Sequence, residues 1–273
     1  MRKVAVLAML ASALACAAAE PRPNVIVLLT DDLGYNDTGC YGAEPGHMAT
    51  PNIDRLAKEG LRFTDAHSAA SVCTPSRYSL LTGEYAFRNN KGWGILPGNA
   101  PLSIPPGSFT LPAVFKKAGY ATAVVGKWHL GLSGGGDDIK WNGEIKPGPN
   151  EIGFDESFII PATGDRVPTV YVRNHRVDGL DPKNTIHVSY KGPIGKEPTG
   201  KTHPKKADVL EGLPGRGHLD AITEGVSRIG HMTGGKGALW KDADMSDTLA
   251  AEAIKFIENH KDGPFFLYLA THG

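Results

Sequence analysis

Apolar runs that end in polar, chemistry-bearing residues recur along this chain. Asn24 to Thr30 (NVIVLLT) is nearly continuous in apolar side chains, as expected of a strand buried on both faces, and it ends in Asp31-Asp32-Leu33-Gly34. Thr50, Pro51 and Gly60 bracket a helix with a cap, a first-turn proline and a terminal glycine; Ile53, Leu56 and Ala57 fall at helical spacing within it. Leu61 to Ala66 then reads as a strand leading toward Cys73. Thr110 to Ala118 predicts a further helix closed by Gly119, and Tyr120 to Val125 a strand followed by Gly126-Lys127-Trp128-His129. Near the C-terminal end, Ser246 or Asp247 caps a helix with Leu249, Ala250, Ala253, Ile254 and Ile257 on one face. Phe265 to Ala270 is a strand ending in Thr271-His272.

Strands alternating with helices predict an α/β fold, a mostly parallel central sheet covered by helices on both faces. In such sheets ligands bind beyond the carboxyl ends of the strands. Asp31, Asp32, Lys127, His129 and His272 all fall there. From Arg166 to Asp244 the periodicity is lost, with short strands expected at Tyr171-Val172 and Val188-Ser189-Tyr190. A stretch of this length inside a domain usually carries function or wraps the surface. The chain shows no internal repeat and no coiled-coil heptad.

With 273 residues, 41% of them hydrophobic, the chain can form a full core. Acidic and basic residues balance at 29 each, which gives no support for nucleic-acid binding or a polybasic membrane surface. Met1-Arg2-Lys3, the apolar Val4 to Ala15 and small-residue sites up to Ala19 form a secretory signal peptide (residues 1–19), too short to span a bilayer. The expected product is exported, periplasmic or secreted, without a transmembrane segment; lipid attachment at Cys16 is the alternative. Export permits a disulfide between Cys40 and Cys73, but the surroundings of Cys73 argue against it.

Cys73 lies in Ala70-Ser71-Val72-Cys73-Thr74-Pro75-Ser76-Arg77-Tyr78-Ser79-Leu80-Leu81-Thr82-Gly83. Pro75 suits the first turn of a helix, Ser76 to Thr82 continue it, and Gly83 ends it. Cys73 therefore sits at or just before a helix N-terminus, where free N–H groups favour negative charge. Arg77 adds a fixed cation one turn along. A nucleophile beside an anion pocket is the chemical reading. Asp31 and Asp32 are hard oxygen donors whose mutual repulsion a divalent cation would relieve. Lys127 and His129, two apart, point to one face if the segment stays extended, with Trp128 turned into packing.

Cys-x-Pro-x-Arg followed by Thr-Gly, together with Asp31-Asp32, Gly126-Lys127-Trp128-His129 and the strand ending at His272, resembles the type I sulfatases from about Pro23 to the last residue. The resemblance implies an alkaline phosphatase-like fold and conversion of Cys73 to Cα-formylglycine by a maturase. It implies calcium on Asp31, Asp32 and the formylglycine, together with a downstream Asp-Asn or Asp-His pair that this chain lacks. It also implies sulfate binding by Lys127, assistance by Arg77, base catalysis by His129 and contact of His272 with the ester oxygen. Thr163 occupies a place where the family often carries a polar residue near the formylglycine. The substrate class implied is a sulfated carbohydrate or aryl sulfate. On this pattern residues 20–273 are an N-terminal portion of a catalytic domain, with an insertion at about 166–245 and the C-terminal part missing, and the portion alone is expected to be poorly soluble and without turnover. Two alternatives stand beside sulfate hydrolysis: a phosphate or phosphonate monoester hydrolase of the same superfamily, and a non-catalytic sulfated-glycan binder.

Overall fold

The computed structural model describes residues 22–44, 49–89, 94–207, 209–210 and 218–272. The expected signal segment, residues 1–19, and with it Cys16 lie outside them. Strands β1 (Val25–Leu29), β2 (Ala121–Lys127) and β3 (Glu156–Ile160) are followed by the short β4 (Val172–Arg173) and β5 (Arg176–Val177). Between β5 and the last strand come β6 (His187–Ser189), β7 (Val209–Leu210), β8 (Ile222–Thr223), β9 (Val226–Ser227) and β10 (His231–Thr233). The last strand is β11 (Phe265–Ala270). The main sheet runs β1-β11-β2-β3-β4-β5. Its first four strands are parallel, and β4 and β5 add on antiparallel. The sheet is therefore mostly parallel, as the alternating pattern predicts.

Helices α1 (Pro51–Glu59), α2 (Cys73–Thr82), α3 (Leu111–Lys117) and α4 (Met245–His260) complete the frame. Successive residues of a strand face opposite sides, and the two cores follow that alternation. Val124, Phe266 and Tyr268 pack with Leu81 of α2 and Phe115 of α3. Ala123, Val125, Phe265 and Leu267 pack with Leu249, Ala253 and Phe256 of α4. Phe115 stacks on Phe266 with centroids 4.4 Å apart, which fixes α3 over the middle of the sheet. Helices thus cover both faces.

Several local expectations change. Strand β1, expected to be buried on both faces, stands at the end of the sheet order among the described residues, with Ile26 and Leu28 exposed. Leu61 to Ala66 has no ladder partner among the described residues, and Leu61 and Phe63 are exposed. Helix α1 forms within its expected bounds, yet none of its residues is buried; Thr50 spends its hydroxyl on Gly39 N–H and Asp54 instead of a cap. Helix α4 starts at Met245 after Asp244 with no side-chain cap, and Phe256 replaces the exposed Ala250 and Ile254 on its buried face. Strand β2 runs two residues longer than the apolar run because Gly126 and Lys127 pair with Ile159 and Ile160. Residues 166–245 contain β4 to β10 and are stitched to the frame by Tyr190, whose Oη donates to Val167 O at 2.6 Å and accepts from Gly98 N at 2.9 Å.

One glycine controls how the site is delivered. Gly126 has φ +106, and a Cβ there would lie 1.8 Å from Ala270 O. Only glycine lets β2 approach β11 so closely just before Lys127. Gly126→Ala should lower the unfolding free energy by at least about 2 kcal/mol through strain and loss of ladder contact, measured by denaturant titration; an unchanged midpoint would show that the strands tolerate the displacement.

Candidate active site

The carboxyl ends of β1 and β2 converge with the N-terminus of α2. The helix begins at Cys73 itself, earlier than the Ser76 to Thr82 run, with Val72 as the extended residue before it. Cys73 thus occupies the first helical turn, among N–H groups that lack intrahelical acceptors. Cys73 and Cys40 are both free thiols, so no disulfide joins them. Asp31, Asp32, Cys73, Lys127, Thr163 and His272 line one open cleft of about 640 Å³. Of the eight residues singled out from the sequence, these six meet in one place. Arg77 and His129 are buried beside it.

Asp31 is the centre of the cluster. Its Oδ1 accepts from Arg77 Nη2 at 3.0 Å and its Oδ2 from Lys127 Nζ at 2.6 Å, with all three side chains almost fully buried. Burial alone would push the Asp31 carboxyl up; the Lys127 hydrogen bond and charge, helped by Arg77, outweigh it and hold the group below the usual carboxylate range. Part of the cation that the Asp31–Asp32 pair calls for is therefore supplied by the protein itself. Arg77 also donates from Nη1 to Lys127 O at 2.9 Å and to Tyr268 Oη at 3.3 Å, while its buried Nε has no partner. Asp32 is exposed and holds a left-handed φ of 51, a conformation that Asp tolerates better than most residues.

Asp31 and Asp32 fit a calcium ion as hard oxygen donors beside Cys73. They are part of a shell: among the described residues no group of three His, Cys, Asp or Glu side chains converges to hold a metal.

The two histidines are set by backbone contacts. The extended geometry expected for Lys127-Trp128-His129 ends with β2, and His129 has φ 54, so it does not share the cleft-lining face with Lys127. Trp128 is in the core, as expected. His129 Nε2 lies 2.8 Å from Leu96 O, an acceptor only, so Nε2 carries the hydrogen and Nδ1 is a bare lone pair, buried without a partner. Burial lowers its pKa to about 3; the Leu96 bond opposes that shift, and the charges of Lys127, Arg166 and Arg77 add to it. His272 is the reverse. Gly164 N–H donates to its Nε2 at 2.8 Å, with Thr163 Oγ1 at 3.3 Å. Nε2 is therefore the acceptor and Nδ1 carries the hydrogen. Burial and the Lys127 charge lower the His272 pKa.

The irregular region supplies a wall that single-sequence patterns did not mark. Arg166, His218, Arg228 and Asp242 line the same cleft. Asp165 holds both Arg166 Nη1, at 2.7 Å, and His218 Nε2, at 2.9 Å. The only sequence signal was the density of Lys, His and Gly in a stretch too long to be a plain loop.

A family model described as Sulfatase matches residues 23–273. A Bacteroides thetaiotaomicron N-acetylgalactosamine-6-O-sulfatase is 49% identical over 92% of this chain and 48% of its own length. Human arylsulfatase D is 31% identical over 91% of the chain and 44% of its length. A solved Bacteroides thetaiotaomicron structure, described under a genetic locus for the metabolism of multiple glycosaminoglycans, superposes with TM-score 0.86 and 47% identity over 92% of this chain and 51% of that one. The chain spans about half the length of these relatives.

Because the neutral state of His129 is favoured only in the folded protein, the unfolded chain takes up a proton near pH 6.5 that the native state refuses until about 3. Stability is then full above pH 6.5 and falls as pH drops toward 3. Relative to His129→Gln, the wild-type unfolding free energy should decline by about 3 kcal/mol between neutral pH and pH ~4. Parallel pH–stability curves for the two proteins would contradict the buried neutral state.

Proposed function

The chain belongs to the sulfatase family, and from that premise we propose that it hydrolyses sulfate esters of carbohydrates, with Cys73 as the precursor of the nucleophile. The observation that carries the proposal is Cys73 in the first turn of α2, beside an Asp31 carboxylate clamped by Arg77 and Lys127. Converted to Cα-formylglycine by a maturase, residue 73 would supply, as its hydrate, one oxygen to attack sulfur and a second hydroxyl whose deprotonation releases sulfate. Asp31 and Asp32 would hold calcium, which when bound polarises the oxygens around it.

The chain's own residues divide the remaining work. Lys127 spends one N–H on Asp31 and has others to offer a sulfate oxygen in the cleft. Arg77, buried, fixes Asp31 and the end of β2 and adds its field. His272, with Nδ1–H, would hold the ester oxygen through a donated hydrogen bond. His129 brings the lone pair on Nδ1 that accepts a proton; burial is the main cause of its lowered pKa, and a bound sulfate anion would offset the smaller part due to the three cations. Such opposed donor and acceptor roles are what cleavage of an S–O ester needs.

The relative at 49% identity acts, by its name, on 6-O-sulfated N-acetylgalactosamine. We take a 6-O-sulfated amino sugar of the glycosaminoglycan kind as the first substrate to test, and export to the periplasm or beyond as the setting. No described helix is long and apolar enough to cross a membrane.

Full-length protein produced with a maturase should give a tryptic peptide carrying an aldehyde at position 73 and should desulfate a sugar from a panel of sulfated monosaccharides. An active preparation carrying only thiol at position 73 would overturn the assignment. Lys127→Ala should lower kcat by about 100-fold or more, the cost of removing one preorganised charge from the site, while Arg77 still pairs with Asp31. Steady-state kinetics within a few-fold of wild type would remove Lys127 from the sulfate site.

A further inference from the structure

We propose that Arg228, which the catalytic reading does not use, is the positioning residue that fixes His272 in its neutral Nδ1–H form, acting through the Gly164 backbone and oriented by Asp242. Arg228 is 1% exposed although it stands in the cleft wall. Its Nε donates to Thr223 Oγ1 at 3.1 Å; Nη1 donates to Gly164 O at 2.6 Å and Asp242 Oδ1 at 2.9 Å; Nη2 donates to Asp242 Oδ2 at 2.6 Å and Thr223 O at 3.5 Å. Every guanidinium N–H is matched by a protein acceptor, so none is left over for a substrate. That separates Arg228 from a sulfate-binding arginine.

Gly164 is the link. Its C=O is held by Arg228 and its N–H is the donor to His272 Nε2 at 2.8 Å. The loop is further stitched to the same segment by Ile229 N to Asp165 O at 2.7 Å and Val167 N to Ile229 O at 3.1 Å. A Cβ on Gly164 would stand 2.7 Å from both Cε1 and Nε2 of His272, so backbone and ring are in direct contact with no room for a side chain. A donor N–H at that distance excludes a hydrogen on Nε2. The tautomer of His272 is thus decided by a peptide whose own position depends on a bidentate ion pair in the irregular region. An imidazole displaced or flipped by loop movement would present the wrong group to the ester oxygen.

The proposal has a spectroscopic arm that does not depend on the sulfatase reading and a kinetic arm that does. Full-length protein labelled at histidine nitrogen should show, in long-range 1H–15N spectra, His272 as a single Nδ1–H tautomer. Arg228→Met, which keeps length but has no donors, should give a tautomer mixture. Its kcat on a sulfate ester that the wild type cleaves should drop about 10- to 100-fold, the scale of loss from small misplacement, with KM nearly unchanged. Gly164→Ala should reproduce the spectral change with the Arg228–Asp242 pair intact. If Arg228→Met does not fold, Asp242→Asn must show the same tautomer mixing. A folded Arg228→Met or, in its place, Asp242→Asn that retains a single Nδ1–H tautomer overturns the proposal, whether or not any sulfate ester is cleaved. If the spectra change but kcat does not, the tautomer is irrelevant to turnover and the positioning role falls.

Discussion

The carboxylate of Asp31, shared between Arg77 and Lys127, is the constraint on which the rest of this site depends. It ties together three elements far apart in sequence: the end of β1, the first turns of α2 and the end of β2. Charges this deeply buried are costly to desolvate, and each is tolerable only while the others remain. Arg77 adds a second constraint by holding the Lys127 carbonyl and the Tyr268 hydroxyl of β11. The cluster therefore locks the order β1-β11-β2 at its carboxyl edge, the edge at which Cys73 is presented. Strong evidence for stability it is not. It sets geometry, and with two cations to one carboxylate the cluster itself keeps a net positive charge.

Much of this frame was legible because the central sheet strands write their burial into the sequence. Phe265 to Ala270, with neighbours on both sides and helices on both faces, is apolar throughout, and its bounds were read without error. Glu156–Ile160 was missed: it is short, and its partner on one side is the two-residue β4, so no long periodic run announces it. Leu61 to Ala66 failed for the converse reason, since apolar composition supplies propensity but not a partner for the backbone. The site residues at strand ends were found because an apolar run has few reasons to finish in Asp-Asp or Lys-Trp-His, and this held even for β1, whose Ile26 and Leu28 are exposed. Arg228 was invisible. Its significance lies in contacts to Asp242, 14 residues away, and Gly164, 64 residues away, and nothing in its immediate surroundings marks it.

Proximity in sequence also misled about His129. A spacing of two implies a common face only while the backbone remains extended, and the left-handed turn at His129 ends that condition. The outcome is chemically richer than two side chains on one face. Lys127 stays in the cleft as a charge, and His129 withdraws behind it as an uncharged ring with an unpartnered lone pair. The buried Nδ1 is an unpaid desolvation cost in the absence of a hydrogen-bonding partner, and such costs concentrate where a ligand or reacting group completes the set.

The same logic distinguishes the histidines from each other. Both are neutral in form, both are lowered in pKa by burial and by Lys127, and both contact the backbone through Nε2, yet the sign of that contact is opposite. A carbonyl at Leu96 makes Nε2 of His129 a donor and leaves Nδ1 to accept. An N–H at Gly164 makes Nε2 of His272 an acceptor and leaves Nδ1 to donate. Nearby carboxylates partly oppose the lowering at His272 but do not choose its tautomer. The choice falls to whichever peptide group each ring meets, and a backbone group held by a strand end or an ion pair is not free to reorient. One fold thereby obtains a fixed acceptor and a fixed donor from the same side chain, without requiring either ring to be charged beside Lys127 and Arg77. That is the less costly arrangement for rings buried beside Lys127, because an imidazolium there would face both the burial penalty and like-charge repulsion.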